Sequence, residues 1–159
     1  PPLPPLGAMV ETPAAVATAD ILAQHVDFMS LGTNDLAQYA LALPRACPMF
    51  AAFASPLHPA LLRLLRDTCA AGQAAGIPVG LCGEWGGDPD FAPLFIGLGV
   101  NELSMTPAAV PAVKEAVRRT DRSRAQAAVR ELVMCPTLAT AQERWRGFAD
   151  THGHAREAR

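Results

Sequence analysis

Four times in this chain a short apolar run ends on polar side chains and hands over to a helix-forming segment that begins with proline. The runs are Ala8-Met-Val10, Phe28-Met-Ser-Leu31, Val79-Gly-Leu-Cys82 and Glu102-Leu-Ser-Met105, and the prolines are Pro13, Pro59, Pro89 and Pro107. Proline suits a first helical position because its missing N–H is one the helix would leave unbonded anyway. Strand then helix with short turns requires parallel strands joined by right-handed crossovers. A run as short and apolar as Phe28–Leu31 reads as a strand buried on both faces. Closure of the sheet stays open at this point, since a four-stranded doubly wound sheet and half of an eight-stranded barrel give the same pattern.

Periodicity places the helices. The first starts at Pro13 under a Thr12 cap, with Ala15, Ala19, Leu22 and Val26 on one face. Thr33, Asn34 and Asp35 open a short second helix whose Leu36, Tyr39, Ala40 and Leu43 face the sheet, and Pro44 closes it. After an irregular segment, a longer helix from Pro59 aligns Leu62, Leu65, Cys69 and Gly72, and Gly76 follows its C-cap. A helix from Pro89 ends near Gly99, and another starts at Pro107 under Thr106. Two more helices, 121–134 and 137–150, flank Pro136, the first carrying a stripe of Ala125, Ala128, Val129 and Leu132. The expected units are residues 1–120, the helices of 121–150 packed on them, and a polar, frayed tail of 151–159.

At 50% hydrophobic and 18% charged residues, the 159-residue chain is globular and long enough for one core. A net charge of −2 gives no basic field for nucleic acid or an anionic membrane. No run approaches the ~20 apolar residues of a membrane span, and the start lacks the basic region of a signal peptide. Small ligands and a cytoplasmic location are expected. Cys47, Cys69, Cys82 and Cys135 show no CxxC pairing, which argues against a zinc site or a disulfide framework. The opening Pro-Pro-Leu-Pro-Pro-Leu has no initiator methionine and leads at once into a strand, the look of a truncated chain.

In parallel α/β folds ligands bind at the carboxyl ends of the strands, which singles out Glu11, Asn34, Asp35, Cys82, Glu84 and Ser104. Glu11 and Asp35 are hard oxygen donors with no histidine or thiolate pattern beside them, a chemistry that suits Mg²⁺, although either could equally serve a helix start. A thiol such as Cys82 is by default a small buried hydrophobe, the reading given to Cys47 and Cys69. His25, His58, His152 and His154 read as structural or solvated, His58 as a cap before Pro59.

The succession Ser30-Leu-Gly-Thr-Asn-Asp-Leu-Ala-Gln-Tyr39, with Arg45 seven positions after Gln38, resembles the second signature of the PEP-utilising enzymes, the family of pyruvate phosphate dikinase, PEP synthase and Enzyme I of the bacterial sugar phosphotransferase system. Similarity, strongest to Enzyme I, continues through Gly7–Pro13, Pro56–Ala60, Leu81–Glu84, Gly87–Pro89 and Leu103–Met105. The resemblance implies the last four βα units of a (β/α)8 PEP-binding barrel followed by C-terminal helices, with the first half absent. On that footing inner-barrel side chains such as Met9, Met29 and Leu81 are expected to lie exposed. It also implies Mg²⁺ on Glu11 and Asp35, PEP on Asn34, Asp35 and Arg45, and Cys82 as the proton donor to the enolpyruvate methylene. Arginine's planar fork matches phosphate and carboxylate, and a thiol near ~8.5 is tunable towards neutrality. Pro44 and Trp85-Gly86 depart from the family pattern.

The implied activity moves the phosphoryl group of PEP to an active-site histidine outside this sequence and on to a histidine phosphocarrier protein, releasing pyruvate. The full-length parent is expected to be a homodimer. A dikinase or PEP synthase fragment, and a non-catalytic dimerisation or regulatory remnant, are the rival readings.

Overall fold

Four parallel strands, β1 (Gly7–Val10), β2 (Phe28–Gly32), β3 (Val79–Cys82) and β4 (Glu102–Leu103), lie side by side in chain order in the computed structural model, which describes residues 2–151. The expectations for the tail, including His152 and His154, fall outside the described residues. A doubly wound sheet reverses its strand order part-way and this one does not. Right-handed crossovers between successive neighbours carry every connection to the same face.

The side chains follow that geometry. Register pairs Met29 with Val79 and Leu31 with both Val10 and Leu81, so these residues share one face. All five are at most 1% exposed and form one core with residues of helices α1 (Pro13–Ala17), α2 (Ala19–Leu22), α3 (Thr33–Leu41), α5 (Pro59–Ala75), α6 (Ala92–Leu98), α8 (Arg122–Val133) and α9 (Leu138–Thr151). On the opposite, open face Met9 and Phe28 are 49% and 39% exposed. The expectation that β2 is buried on both faces is therefore corrected. So is the exposure expected of Met29 and Leu81, which lie under the helices while Met9 stays open.

Local chemistry sets most helix ends. The Thr12 hydroxyl accepts from the Ala15 N–H at 3.1 Å, as expected. The single helix expected from Pro13 is two, because Thr18 leaves helical geometry and turns its hydroxyl onto the Ala14 carbonyl. In α3 the buried residues are Thr33, Leu36 and Ala37, and Tyr39 is exposed, against expectation. The Thr33 hydroxyl donates to the Cys82 carbonyl at 3.1 Å, which turns the helix so that its buried face starts at Thr33. The helix stops at Leu41, with Ala42 left-handed at φ 53°, before Pro44 is reached. Between them and α5 lies a short helix not foreseen, α4 (Pro48–Phe53), which has no buried residue.

In α5 the expected face of Leu62, Leu65, Cys69 and Gly72 is buried, and Gly76 ends the helix at φ 73°. A Cβ on Gly72 would collide with the Val79 side chain, so this glycine lets the helix lie close on β3. Pro89 opens a 3₁₀ turn that runs into α6, closed by Gly99 at φ 94°. α7 (Val110–Arg119) begins three residues later than expected: Pro107 sits in a turn in which the Thr106 carbonyl accepts from Ala109, and Pro111 takes the early helical position. Asp121 caps α8 by accepting from the Arg124 N–H at 2.9 Å. α8 lies close on α6 at Gly97, where a Cβ would sit 2.6 Å from the Ala125 carbonyl oxygen.

His58 is the cap it was expected to be, its Nδ1 accepting from the Ala60 N–H at 3.2 Å. Burial lowers its pKa, and a protonated Nδ1 has no lone pair to accept with. The stability it contributes is thus complete above the unfolded value of about 6.5 and is lost as pH falls towards the lower folded value. His58→Ala is expected to cost about 1 kcal/mol near neutrality. His58→Asn should keep the cap and remove this share of the acid sensitivity, checked by thermal melts on either side of pH 6.5.

Candidate functional site

The carboxyl ends of β1, β2 and β3 bring together most of the polar residues singled out by the sequence. Glu11 follows β1 directly and lies beside Gly32, the last residue of β2. A Cβ on Gly32 would stand 2.7 Å from Glu11 Oε2 and 3.2 Å from the Met9 sulfur, so only glycine leaves room here. Thr33, wholly buried, ties the end of β2 to the end of β3 through its bond to the Cys82 carbonyl. Gly83 follows at φ 125°, a conformation that side chains resist, and a Cβ there would collide with Thr33 Oγ1 and sit 3.2 Å from Asn34 Oδ1. Asn34 is thereby held against the β3 turn.

Asp35, in the first turn of α3, pairs with the Arg45 guanidinium at 3.1 Å, both side chains nearly half exposed. At that exposure the pair is worth at most about 1 kcal/mol, so either partner is free to re-pair with a ligand. The sequence placed the two residues at one site but did not foresee their contact.

Cys82 ends β3 on the open face, half-buried rather than in the core. Its sulfur accepts from the Ser30 hydroxyl at 3.6 Å and lies 3.6 Å from the Met9 sulfur and 3.5 Å from the Leu31 carbonyl. The contacts of Ser30 and Met9 with Cys82 were not foreseen, although the strand alternation that puts them on one face with Cys82 was the signal available. Cys69 behaves as expected, buried and with its thiol pushed up to about 12. Cys47 does not: it is half-buried just ahead of α4.

Beside these groups a cleft of about 710 Å³ opens over the ends of β3 and β4, lined among others by Asn34, Gly83, Glu84, Asp88, Ser104 and Thr106. Asn34, Glu84 and Ser104 thus meet in one cleft, whereas Glu11, Asp35, Arg45 and Cys82 lie outside its lining. The unusual Trp85-Gly86 pair has a packing role there. Trp85 lies against the main core, and a Cβ on Gly86 would be 2.8 Å from the Ser104 carbonyl, so glycine lets β4 approach. Among the described residues no group of three or more His, Cys, Asp or Glu gathers as a metal cluster. Hard carboxylate donors follow three strand ends: Glu11 after β1, Asp35 in the first turn of α3 after β2, and Glu84 and Asp88 in the cleft lining after β3.

Residues 3–122 match the family described as PEP-utilising enzyme, PEP-binding domain. The chain is 50% identical over 133 residues to the multiphosphoryl transfer protein of Xanthomonas campestris pv. campestris, covering 84% of this chain and 16% of that protein. It is 45% identical over 141 residues to the phosphoenolpyruvate-protein phosphotransferase of Haloferax volcanii, covering 89% and 25%. To the phosphoenolpyruvate-protein phosphotransferase of Cupriavidus necator it is 46% identical over 112 residues, covering 70% and 19%. The chain spans a quarter or less of the length of these relatives. With residues 3–122 of its 159 inside the family match, the chain belongs to the PEP-utilising enzymes, matching their PEP-binding domain.

Proposed function

We propose that the chain is the PEP- and magnesium-binding part of a PEP-protein phosphotransferase, which passes the phosphoryl group of PEP to a histidine on another domain and then to a histidine phosphocarrier protein. The observation that carries this reading is the gathering of Glu11, Asn34, Asp35 and Cys82 at the carboxyl ends of three adjacent parallel strands, the ligand-binding end of such sheets. The names of the relatives support phosphoryl transfer. In this reading the sheet is the last four strands of a (β/α)8 barrel, supported by the sequential strand order and by helices packed on one face only. The same reading assigns a cytoplasmic, homodimeric parent. No helix among the described residues is long and apolar enough to cross a membrane.

The donor set fits Mg²⁺, which takes one or two carboxylates beside waters and substrate oxygens, and Glu11 and Asp35 would supply them. Bound there, the ion would neutralise charge on phosphoryl and enolate oxygens. Asn34 donates its amide N–H to a phosphoryl oxygen, and Arg45 swings from Asp35 onto the phosphate or carboxylate of PEP. As the P–O bond breaks, its electron pair passes to the enol oxygen, and the methylene carbon of the resulting enolate takes the Cys82 proton to give pyruvate.

Calorimetric titration of PEP into the full-length protein tests the reading. Binding is expected to require Mg²⁺ and to weaken at least about tenfold in Glu11→Gln or Asp35→Asn. Equal affinity with and without a chelator, in the wild type and both variants, overturns the metal assignment.

A further inference from the structure

We propose that Ser30 is a positioning residue for Cys82, aiming the thiol and stabilising the thiolate left when its proton is given up. This role rests on the acid function of Cys82 proposed above. β2 and the start of α3 hold Cys82 at two points. The Thr33 hydroxyl donates to its carbonyl at 3.1 Å, and the Ser30 hydroxyl donates to its sulfur at 3.6 Å. With the backbone tied, rotation about Cα–Cβ is the freedom left to the thiol, and the Ser30 bond favours the rotamer that keeps the sulfur in reach.

Strand register brings hydroxyl and thiol together. Ser30 pairs with Gly80 and Cys82 with Gly32, so each faces a glycine and no side chain of the pairing strand stands between them. Gly32 lies two positions after Ser30, which puts Ser30 and Cys82 on one face. The contact joins two paired strands, so it holds whatever covers that face of the sheet.

The change of charge on sulfur makes this contact useful. In the neutral thiol, the sulfur donates to the Leu31 carbonyl at 3.5 Å and accepts from Ser30. When the Sγ–H bond breaks, its electron pair stays on sulfur. The proton goes to the methylene carbon, where the enolate's C=C pair forms the new C–H bond and the enolate oxygen regains its carbonyl. The thiolate then faces the Leu31 carbonyl oxygen and the Met9 sulfur, neither of which has a proton to donate. Ser30 does have one, and a hydrogen bond to a charged acceptor is about twice as strong as one to a neutral acceptor. The bond therefore strengthens as the proton leaves, which lowers the barrier to its transfer. Solvent then returns a proton to the sulfur.

The test is the rate of pyruvate formation by the full-length protein beside its PEP affinity by calorimetry, with thermal melts used to express each rate per folded molecule. Ser30→Ala is expected to lower turnover roughly ten- to a hundredfold with PEP affinity kept within about twofold, the loss of one hydrogen bond to a charged group. Ser30→Thr keeps the hydroxyl and should recover most of the rate. On a Cys82→Ala background, Ser30→Ala should slow the reaction no further, because a residue that acts through the thiol has nothing left to act on. A serine with only a structural role gives losses that multiply in the double variant. Normal turnover in Ser30→Ala, equal losses in Ser30→Ala and Ser30→Thr, or further slowing of Cys82→Ala would each overturn the positioning role alone. Normal turnover in Cys82→Ala would overturn the acid function, and the role of Ser30 with it, so the two failures are separable.

Discussion

Replacing Cys82 with alanine in the full-length protein is expected to lower turnover of PEP to pyruvate by roughly 10²- to 10⁴-fold while PEP affinity changes little, the loss associated with a general acid. The substitution removes one sulfur and leaves Glu11, Asn34, Asp35 and Arg45 in place. Cys82 is half-buried and faces the open side of the sheet, where a substrate can reach it, with Ser30 donating to its sulfur. A thiol serving only to fill the core gives the reverse pattern, about 1 kcal/mol of stability lost and turnover per folded molecule nearly intact. Cys69, 4% exposed and pushed up to about 12, is the internal control, and Cys69→Ala should show that reverse pattern. The decisive measurements are PEP affinity by calorimetry, the rate of pyruvate formation and solvent-deuterium incorporation at the methyl group. Near-normal turnover in a folded Cys82→Ala removes the thiol from the mechanism.

The role tested at Cys82 comes from the family resemblance, whereas the helix ends follow from local chemistry. Thr12, His58 and Asp121 act as caps where the sequence put helix starts, and Gly76 and Gly99 end helices in the left-handed conformation. Strand order was not readable, because the pattern of strand and helix is the same whether the sheet winds one way or two. Nor was the parity of the strands. Met9, Met29 and Leu81 are equally apolar, and only the register shows that two of them lie beneath helices while the first stays open.

The start of α7 was misplaced because Pro107 and Pro111 both satisfy the rule for an early helical proline. Packing decides between them: Val113 and Ala116 bury against Ala92, and the helix that delivers them begins at Val110. The face of α3 was misjudged for a similar reason. Weighting Tyr39 as apolar ignored the hydroxyl of Thr33, whose bond to the neighbouring strand turns the helix. At the site, residue types and strand-end positions could be read from the sequence. The contacts of Asp35 with Arg45 and of Cys82 with Ser30 and Met9 could not, because they join residues brought together only by the fold.

The same limit applies to the phenylalanines, and it yields the largest stability effect expected. Phe95→Ala should destabilise the protein by about 3–5 kcal/mol, whereas Phe53→Ala should stay within about 0.5 kcal/mol of the wild type. The two residues are chemically identical, and each sits on a helix with a proline in its first turn. Phe95 is wholly buried in the core that joins the strands to the surrounding helices, so its loss removes a ring's worth of contacts and leaves a cavity that close-packed neighbours fill only in part. Phe53 is 42% exposed on α4, which buries nothing. Against a total stability of about 5–15 kcal/mol, the first change consumes a large share and the second is lost in it. Because α6 follows the Gly83–Asp88 turn that lines the cleft, Phe95→Ala should also loosen the cleft, weakening ligand binding as stability falls. Denaturant unfolding of both variants, read beside PEP titration, checks the contrast; comparable losses for Phe53 and Phe95 would mean that α4 is packed in solution and that the core is drawn wrongly.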